Sequence, residues 1–344
     1  TSGLALQSRT DIDGAWRELI ARPTRIFEEH LGLGLLVRDP GAPAAVLASY
    51  RGNGNAPAEV LLSLKNPDIV LSGQDSAGLE YAGLLSLADP ENIAPIPGSA
   101  ALGSFGLWFD AQWLDAGGSY EWFVGNGSDD WRLWRFDAAQ PDQAEHWEVT
   151  SPDDPEPGFN NGRNYFLSVL DGDLLLLTRG GTRYGLVGYS RSALVQAASA
   201  QHPNTFLSVA PLWQVETHLP DESSNSLTWR CRTLTIGPRR VAVVAAGTNT
   251  STNPSEASHG QLMLFDISAG IAAPPVLLAQ VVGPNAEGQF IGLDVRRIGA
   301  ASFAFVVDFG GFVHVFDISD PLGPLLVGGW AVPPNEVDGV AAHP

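Results

Sequence analysis

The feature that most constrains this chain is that it repeats itself. Gly260-Gln-Leu-Met-Leu-Phe-Asp-Ile-Ser268 returns 51 residues later as Gly311-Phe-Val-His-Val-Phe-Asp-Ile-Ser319, with five of nine positions identical. Both copies are followed by proline and another apolar stretch, Pro275-Val-Leu-Leu278 and Pro324-Leu-Leu-Val327. Fainter copies are Trp131–Asp137, Leu84–Pro90 and Gly185–Ser190. The preceding segments repeat as well. Phe303–Gly310 resembles Val241–Gly247 and Leu174–Thr178, and Leu293–Gly299 lines up with Cys231–Gly237. Each unit reads strand, turn, strand, Gly-containing turn, strand, proline, strand, in the β-branched and aromatic residues that suit a pleated sheet.

Four strands in a repeat of 40 to 50 residues is the pattern of a propeller blade, and a ring of blades buries the faces that a single blade leaves open. Proline and glycine in every unit exclude a helical repeat. The expected fold is therefore all-β: a β-propeller of about six four-stranded blades, with seven as the alternative because residues 1–30 resist placement. The units span 26–57, 58–98, 99–150, 160–217, 225–284 and 288–334. Residues 1–25 read as an N-terminal extension and 26–344 as one propeller domain. The first unit lacks a clean inner strand, and Val337–His343 has the character of one. Pairing of N- and C-terminal strands would close the ring and remove a free edge. Asp13–Ile20 reads as a short helix capped by Asp11 or Asp13.

The Val-Phe-Asp-Ile-Ser-Asp-Pro string at 315–321, with Leu-Phe-Asp-Ile-Ser at 264–268, resembles the LVIVD-type repeat of bacterial and archaeal propeller proteins. The resemblance covers about a third of the chain. It implies a propeller, often exported or surface-associated (extracellular, cell-surface or periplasmic), and it brings no catalytic motif. Ser86 stands where Asp317 stands, so an acid at that position is not required in every unit.

Composition removes several function classes. A formal charge of −19, with Lys65 as the only lysine, repels phosphate backbones and anionic lipid surfaces, so no nucleic acid is expected as a partner. No apolar run reaches the ~18 residues of a membrane span. No secretory leader is read, and the chain opens at Thr1, as a processed terminus would. Cys231 is the only cysteine, which forbids an intrachain disulfide and suits a small buried hydrophobe. Asn126 and Asn249 head glycosylation sequons.

Candidate ligand-binding residues lie on the expected inner strands. Arg232 and Asp294 align at one position and Tyr165 is placed there in a third unit. Arg230 shares a face with Arg232, and Arg296 with Asp294. Two readings stand: channel lining with mutual ion pairs, or a site for an anion, a sugar or a metal-bound ligand. Six tryptophans between residues 108 and 147 suit packing between blades. Trp113, near the Asp115–Gly118 turn, is the one read as an exposed platform. The recurring Asp137, Asp266 and Asp317 read as turn formers. The seven histidines show no metal-ligand spacing, and His314 falls in a middle strand. No cofactor is expected. Acidic turns at 129–130, 153–156 and 171–173 leave a structural Ca²⁺ as an option, although none matches an EF-hand. The inserts at 190–211, with a helix over Ser192–Ala200, and 248–259 are either recognition loops or tolerated insertions.

The leading functional expectation is a noncatalytic, exported binding or assembly module with a protein or surface-glycan partner. The alternatives are a hydrolase or lyase acting on a carbohydrate or lactone at the channel mouth, and a structural subunit of a surface lattice or filament.

Overall fold

The computed structural model describes residues 16–22, 25–30, 34–39, 41–50, 57–62, 69–76, 79–89, 92–96, 104–105, 110–126, 131–137, 139–150, 165–179, 185–215, 217, 226–248, 260–284, 289–308 and 311–331. These residues form six sheets that succeed one another along the chain. The sixth is representative: Phe290–Ile298, Ala301–Asp308, Phe312–Asp317 and Leu325–Ala331 pair antiparallel in chain order. The fifth repeats it with Ser226–Ile236, Arg239–Thr248, Gly260–Asp266 and Val276–Val282. From the second sheet to the sixth, the first strand of each lies against the first strand of the sheet before it, so the first strands are innermost.

Consecutive sheets stack face to face, and their alternating residues make the cores. Leu114, Trp122, Trp131, Trp147, Leu175 and Tyr189 join the third and fourth sheets. Leu174, Leu186, Trp213, Cys231, Val244 and Met263 join the fourth and fifth. Val243, Leu264, Leu293, Val306 and Phe316 join the fifth and sixth. Each fully buried side chain of this size contributes about 1.5–3 kcal/mol, which is why the repeat keeps its alternation even where sequence identity fades.

The Phe-Asp-Ile-Ser string ends the third strand and shapes the turn beyond it. The Ser268 and Ser319 N–H groups donate to Oδ1 of Asp266 and Asp317, each at 2.9 Å. The serine Oγ atoms accept the N–H of Arg240 and Ser302, again at 2.9 Å. The Ile267 and Ile318 N–H groups donate to the carbonyls of the same two residues at 2.8 Å. Side chain and backbone thus tie the turn to the second strand together. Asp137 and Asp39 hold Ala139 and Gly41 as Asp266 holds Ser268, and Ser86 substitutes at its position, accepting from Ala88 at 3.3 Å. The turn-forming reading of these residues is what the structure contains. At the same end of the sheet, Gly237 and Gly299 turn the first hairpin with φ of +56° and +64°, a region that side chains avoid.

The N-terminal stretch departs from expectation. Trp16–Arg22 is a strand paired with Arg25–His30, not part of a helix over Asp13–Ile20. An isolated helix that short is marginal in water, and a hairpin partner outweighs it. This strand gives the first sheet four strands of its own. The inner strand expected from Val337–His343 lies outside the described residues.

Candidate functional site

The inner-strand set is placed on innermost strands as expected, but the structure does not gather it into one site. Cys231 opposes Val244 and Leu293 opposes Val306, so Arg232 and Asp294 are equivalent in register. Arg230 and Arg232 share the face of the fifth sheet that looks towards the sixth. Asp294 and Arg296 share the face of the sixth sheet turned away from the fifth. Arg296 Nε donates to Asp294 Oδ2 at 3.0 Å, and Asp294 Oδ1 accepts the Val295 N–H at 2.9 Å. Arg232 donates to the Cys231 carbonyl at 3.1 Å. Tyr165 does not share that position. It opposes Arg179 just ahead of a bulge, the place that Thr228 and Phe290 hold in the next two sheets, and Val169 stands where Arg232 does.

Trp113 is not an exposed platform: it is 4% accessible, with its ring edge-on to Phe123 at 5.1 Å and to Phe136 at 5.9 Å. Proximity to a turn does not set the side on which a strand residue points. Trp122, Trp131, Trp134 and Trp147 are buried too. Trp131 meets Tyr189 of the fourth sheet, and Trp134 stacks on Phe123 at the opposite face. Trp108 lies outside the described residues. Arg135 spans the edge of this cluster, 4.7 Å from the Tyr120 ring centroid, and pairs with Glu145.

Cys231 is fully buried, and burial pushes its thiol up to about 12, so it is no nucleophile at neutral pH. Asp171 and Asp173 are engaged in the frame. Asp171 accepts from Arg240 Nε at 2.8 Å, linking the fourth sheet to the fifth. Asp173 accepts from Ser190 Oγ at 2.7 Å and from the Ser192 N–H at 2.9 Å. Burial alone would raise the Asp173 carboxyl. Those bonds and the Arg191 guanidinium outweigh it and hold the group below its ordinary range. Among the described residues, no group of three or more His, Cys, Asp or Glu is disposed to hold a metal ion. The clusters at 129–130 and 153–156 lie outside the described residues.

The residue that the repeat pattern undervalued is His314. It stands on the third strand of the sixth sheet, buried, with Nε2 at 2.8 Å from Asp308 Oδ2. Asp308 is itself 2% accessible, and its Oδ1 accepts the Phe312 N–H at 2.9 Å. Phe290, Phe312 and Phe316 surround the imidazole. With the carboxylate accepting at Nε2, that nitrogen carries the proton, and Nδ1 has no hydrogen-bond partner among the described residues. In register, His314 matches Met263 and Asp308 matches Ala246 of the fifth sheet. A buried polar pair replaces a thioether and a methyl at this one place.

Above this pair lies an opening of about 340 Å³ lined by Pro284, Phe312, His314, Leu326, Gly328 and Gly329. Gly329 opposes His314 in register, where the fifth sheet has Gln280 opposite Met263. A Cβ at Gly329 would lie 2.5 Å from the Phe312 ring, so the aromatic takes the space that a side chain would need. The strand that carries both glycines, Leu325–Ala331, is exposed at all seven residues, including Leu325, Leu326, Val327 and Trp330. The outer strand of the fifth sheet adds exposed Val276, Leu277 and Val282. Isolated apolar side chains on a surface are ordinary, whereas an outer strand exposed along its whole length is not.

No protein-family model matches the chain, and neither does any curated protein. Solved structures do resemble it. The Cps50 (Swd1) β-propeller domain of Myceliophteria thermophila aligns with 95% of this chain and 88% of its own, at 13% identity and a TM-score of 0.59. A protein from Lactobacillus plantarum aligns with 92% of this chain and 85% of its own, at 14% identity and the same TM-score. The computationally designed Ika8 protein aligns with 97% of this chain and 92% of its own, at 10% identity and a TM-score of 0.52. Together with the six successive meander sheets, the likeness to the Swd1 domain shows a β-propeller scaffold. No helix among the described residues is long and apolar enough to cross a membrane.

Proposed function

We propose that the chain is a noncatalytic, exported β-propeller that works as a protein-binding or assembly module. Its six sheets would act as six blades, closed into a ring by the terminal strands and of the LVIVD-repeat type. The observation that carries the binding role is the outer strand Leu325–Ala331, exposed throughout and without a charged residue. Soluble chains keep such strands only where something covers them or where exposure is part of the function. The inner-strand polar groups add support. Asp294 and Arg296 neutralise each other and Arg232 turns to a backbone carbonyl, which suits a lining more than a set of converging catalytic groups. The frame-building roles of Asp137, Asp266 and Asp317 leave them no part in chemistry.

The test compares the wild-type chain with a Leu326→Lys, Trp330→Lys variant, each recovered from its native host. Both substituted residues are exposed, so circular dichroism and the thermal midpoint should match. The wild type is expected to carry a stoichiometric protein partner that the variant lacks. Turnover of a carbohydrate or lactone that vanishes in Arg296→Ala without unfolding would overturn the proposal in favour of an enzyme.

A further inference from the structure

The sheets of this chain end in different ways, and the differences identify one edge as a docking strand. A sheet edge presents unpaired N–H and C=O groups, and proteins blunt it with short strands, proline, charge or a cover. The first sheet's outer strand, Ala42–Tyr50, contains Pro43. The second sheet's Ala94–Pro95 has two residues, one of them proline. The fourth sheet's Trp213–Val215 has three. The third sheet's Gln140–Thr150 is long, and the chain covers it itself: Thr205–Ser208 lies parallel to it as a fifth strand. The outer strands of the fifth and sixth sheets have seven residues each, with no charge, no proline and no covering strand among the described residues; the one device each carries is a bulge, at Leu278 in the fifth and at Val327 in the sixth. The fifth is half-buried along its middle, and the sixth is exposed at every position.

We infer that Leu325–Ala331 accepts an extended segment of a partner protein as a fifth strand of the sixth sheet, with alternating apolar side chains and Lys or Arg at the ends. This names the partner chemistry for the binding role proposed above and rests on it. The third sheet shows that an outer strand of this frame has room for a fifth. The trough beside Gly328 and Gly329, floored by Phe312, faces the same side as every second residue of an added strand. Main-chain pairing would supply affinity, and that trough would select an apolar side chain. The basic ends come from charge. The docking strand has none, Asp317 and Asp320 stand at its start, and the whole chain is at −19.

The probe is a synthetic peptide of four Val-Thr repeats between paired lysines, added to the full chain. Hydrogen exchange should slow at least tenfold at the amides of 325–331, and affinity should fall as salt rises. The same peptide N-methylated at alternate residues keeps its side chains, loses its pairing groups and should bind at least tenfold more weakly. A glutamate-flanked version should weaken by a similar factor. Val327→Lys, at a position 54% exposed, should abolish binding and leave the thermal midpoint unchanged. Equal binding of the N-methylated peptide, or protection confined to other strands, overturns strand addition. Protection of 325–331 in a concentrated sample without peptide would make a second copy of the chain the occupant and overturn the choice of partner. If Val327→Lys still retains the native partner, strand addition fails while the binding-module reading stands.

Discussion

His314 and Asp308 are buried together where the neighbouring sheet buries Met263 and Ala246, and that exchange can be measured. His314→Met alone leaves the Asp308 carboxylate sealed with only one backbone donor, and breaking such a buried pair costs about 3–5 kcal/mol. Adding Asp308→Ala completes the fifth sheet's own combination. The double variant should recover most of that loss, short of about 1 kcal/mol for the Phe312 N–H that loses its acceptor. Urea unfolding of the four proteins checks this. A coupling energy below about 0.5 kcal/mol would mean that the two side chains act independently. The signal was present in the sequence, because His314 aligns with Met263 in the 51-residue repeat: a polar residue at an apolar repeat position. Asp308 was not legible beside it, since the contact depends on a hairpin bringing residues six apart within 2.8 Å. Trp113 failed for a related reason. Strand alternation separated Trp131 from Trp134 correctly, but no rule of sequence spacing says which face of a sheet meets a neighbour.

At the scale of elements, the insert after the fourth sheet's third strand is a cover for an edge. Its helix, Arg191–Ser199, begins at Ser190, whose Oγ accepts the Ala193 N–H and donates to Asp173. In the fifth and sixth sheets the carboxylate sits on the third strand, as Asp266 and Asp317. Here it has moved across the hairpin to Asp173, and serine takes the other place. Ser190→Ala should therefore cost about 1 kcal/mol and alter the acid response. A carboxyl held below its ordinary value of 3.8 stabilises the fold fully above that pH, and the contribution is lost as pH falls through the folded value. The gap in thermal midpoint between wild type and variant should be widest at neutral pH and narrow below about pH 4. A gap unchanged down to about pH 3 would show that Asp173 is not the partner that matters. The helix over Ser192–Ala200 was legible from its alanines, and the structure has it at Arg191–Ser199 with Ser190 as its cap. The strand at Trp16–Arg22 was not, because only its pairing with Arg25–His30 outweighs a helix-compatible composition. The register of Tyr165 was hidden by hairpin length: the fourth sheet turns at Asp171 and Leu174, two pairs earlier than the fifth, so counting along the sequence misplaces the strand.

For the molecule as a whole, the repeat dictated the frame and the charge dictates its response to solution. Six sheets of one pattern place their first strands together and their outer strands apart, so the periphery is where units can differ without disturbing a core. The three best-formed repeats differ there: the fourth sheet sends out a helix and a covering strand, the fifth keeps Gln280, and the sixth opens a glycine pair over Phe312. A chain at −19 also repels itself when folded. Screening should relieve on the order of 1 kcal/mol of this, a rise of roughly 1–2 °C in thermal midpoint between about 10 mM and 300 mM NaCl. Calcium chloride at matched ionic strength separates a diffuse field from a specific site. If the carboxylates act only as a field, the two salts should coincide once ionic strength is equal. A further rise with calcium at micromolar excess, abolished by chelator, would instead reveal a bound ion, and its loss in Asp129→Ala or Asp153→Ala would assign it to one of the acidic stretches at 129–130 and 153–156. Calorimetry under both salts, with magnesium as a control for charge alone, decides between the two. The expected result is coincidence, because the described carboxylates Asp171, Asp173, Asp266 and Asp317 are already committed to serines, arginines and turn N–H groups.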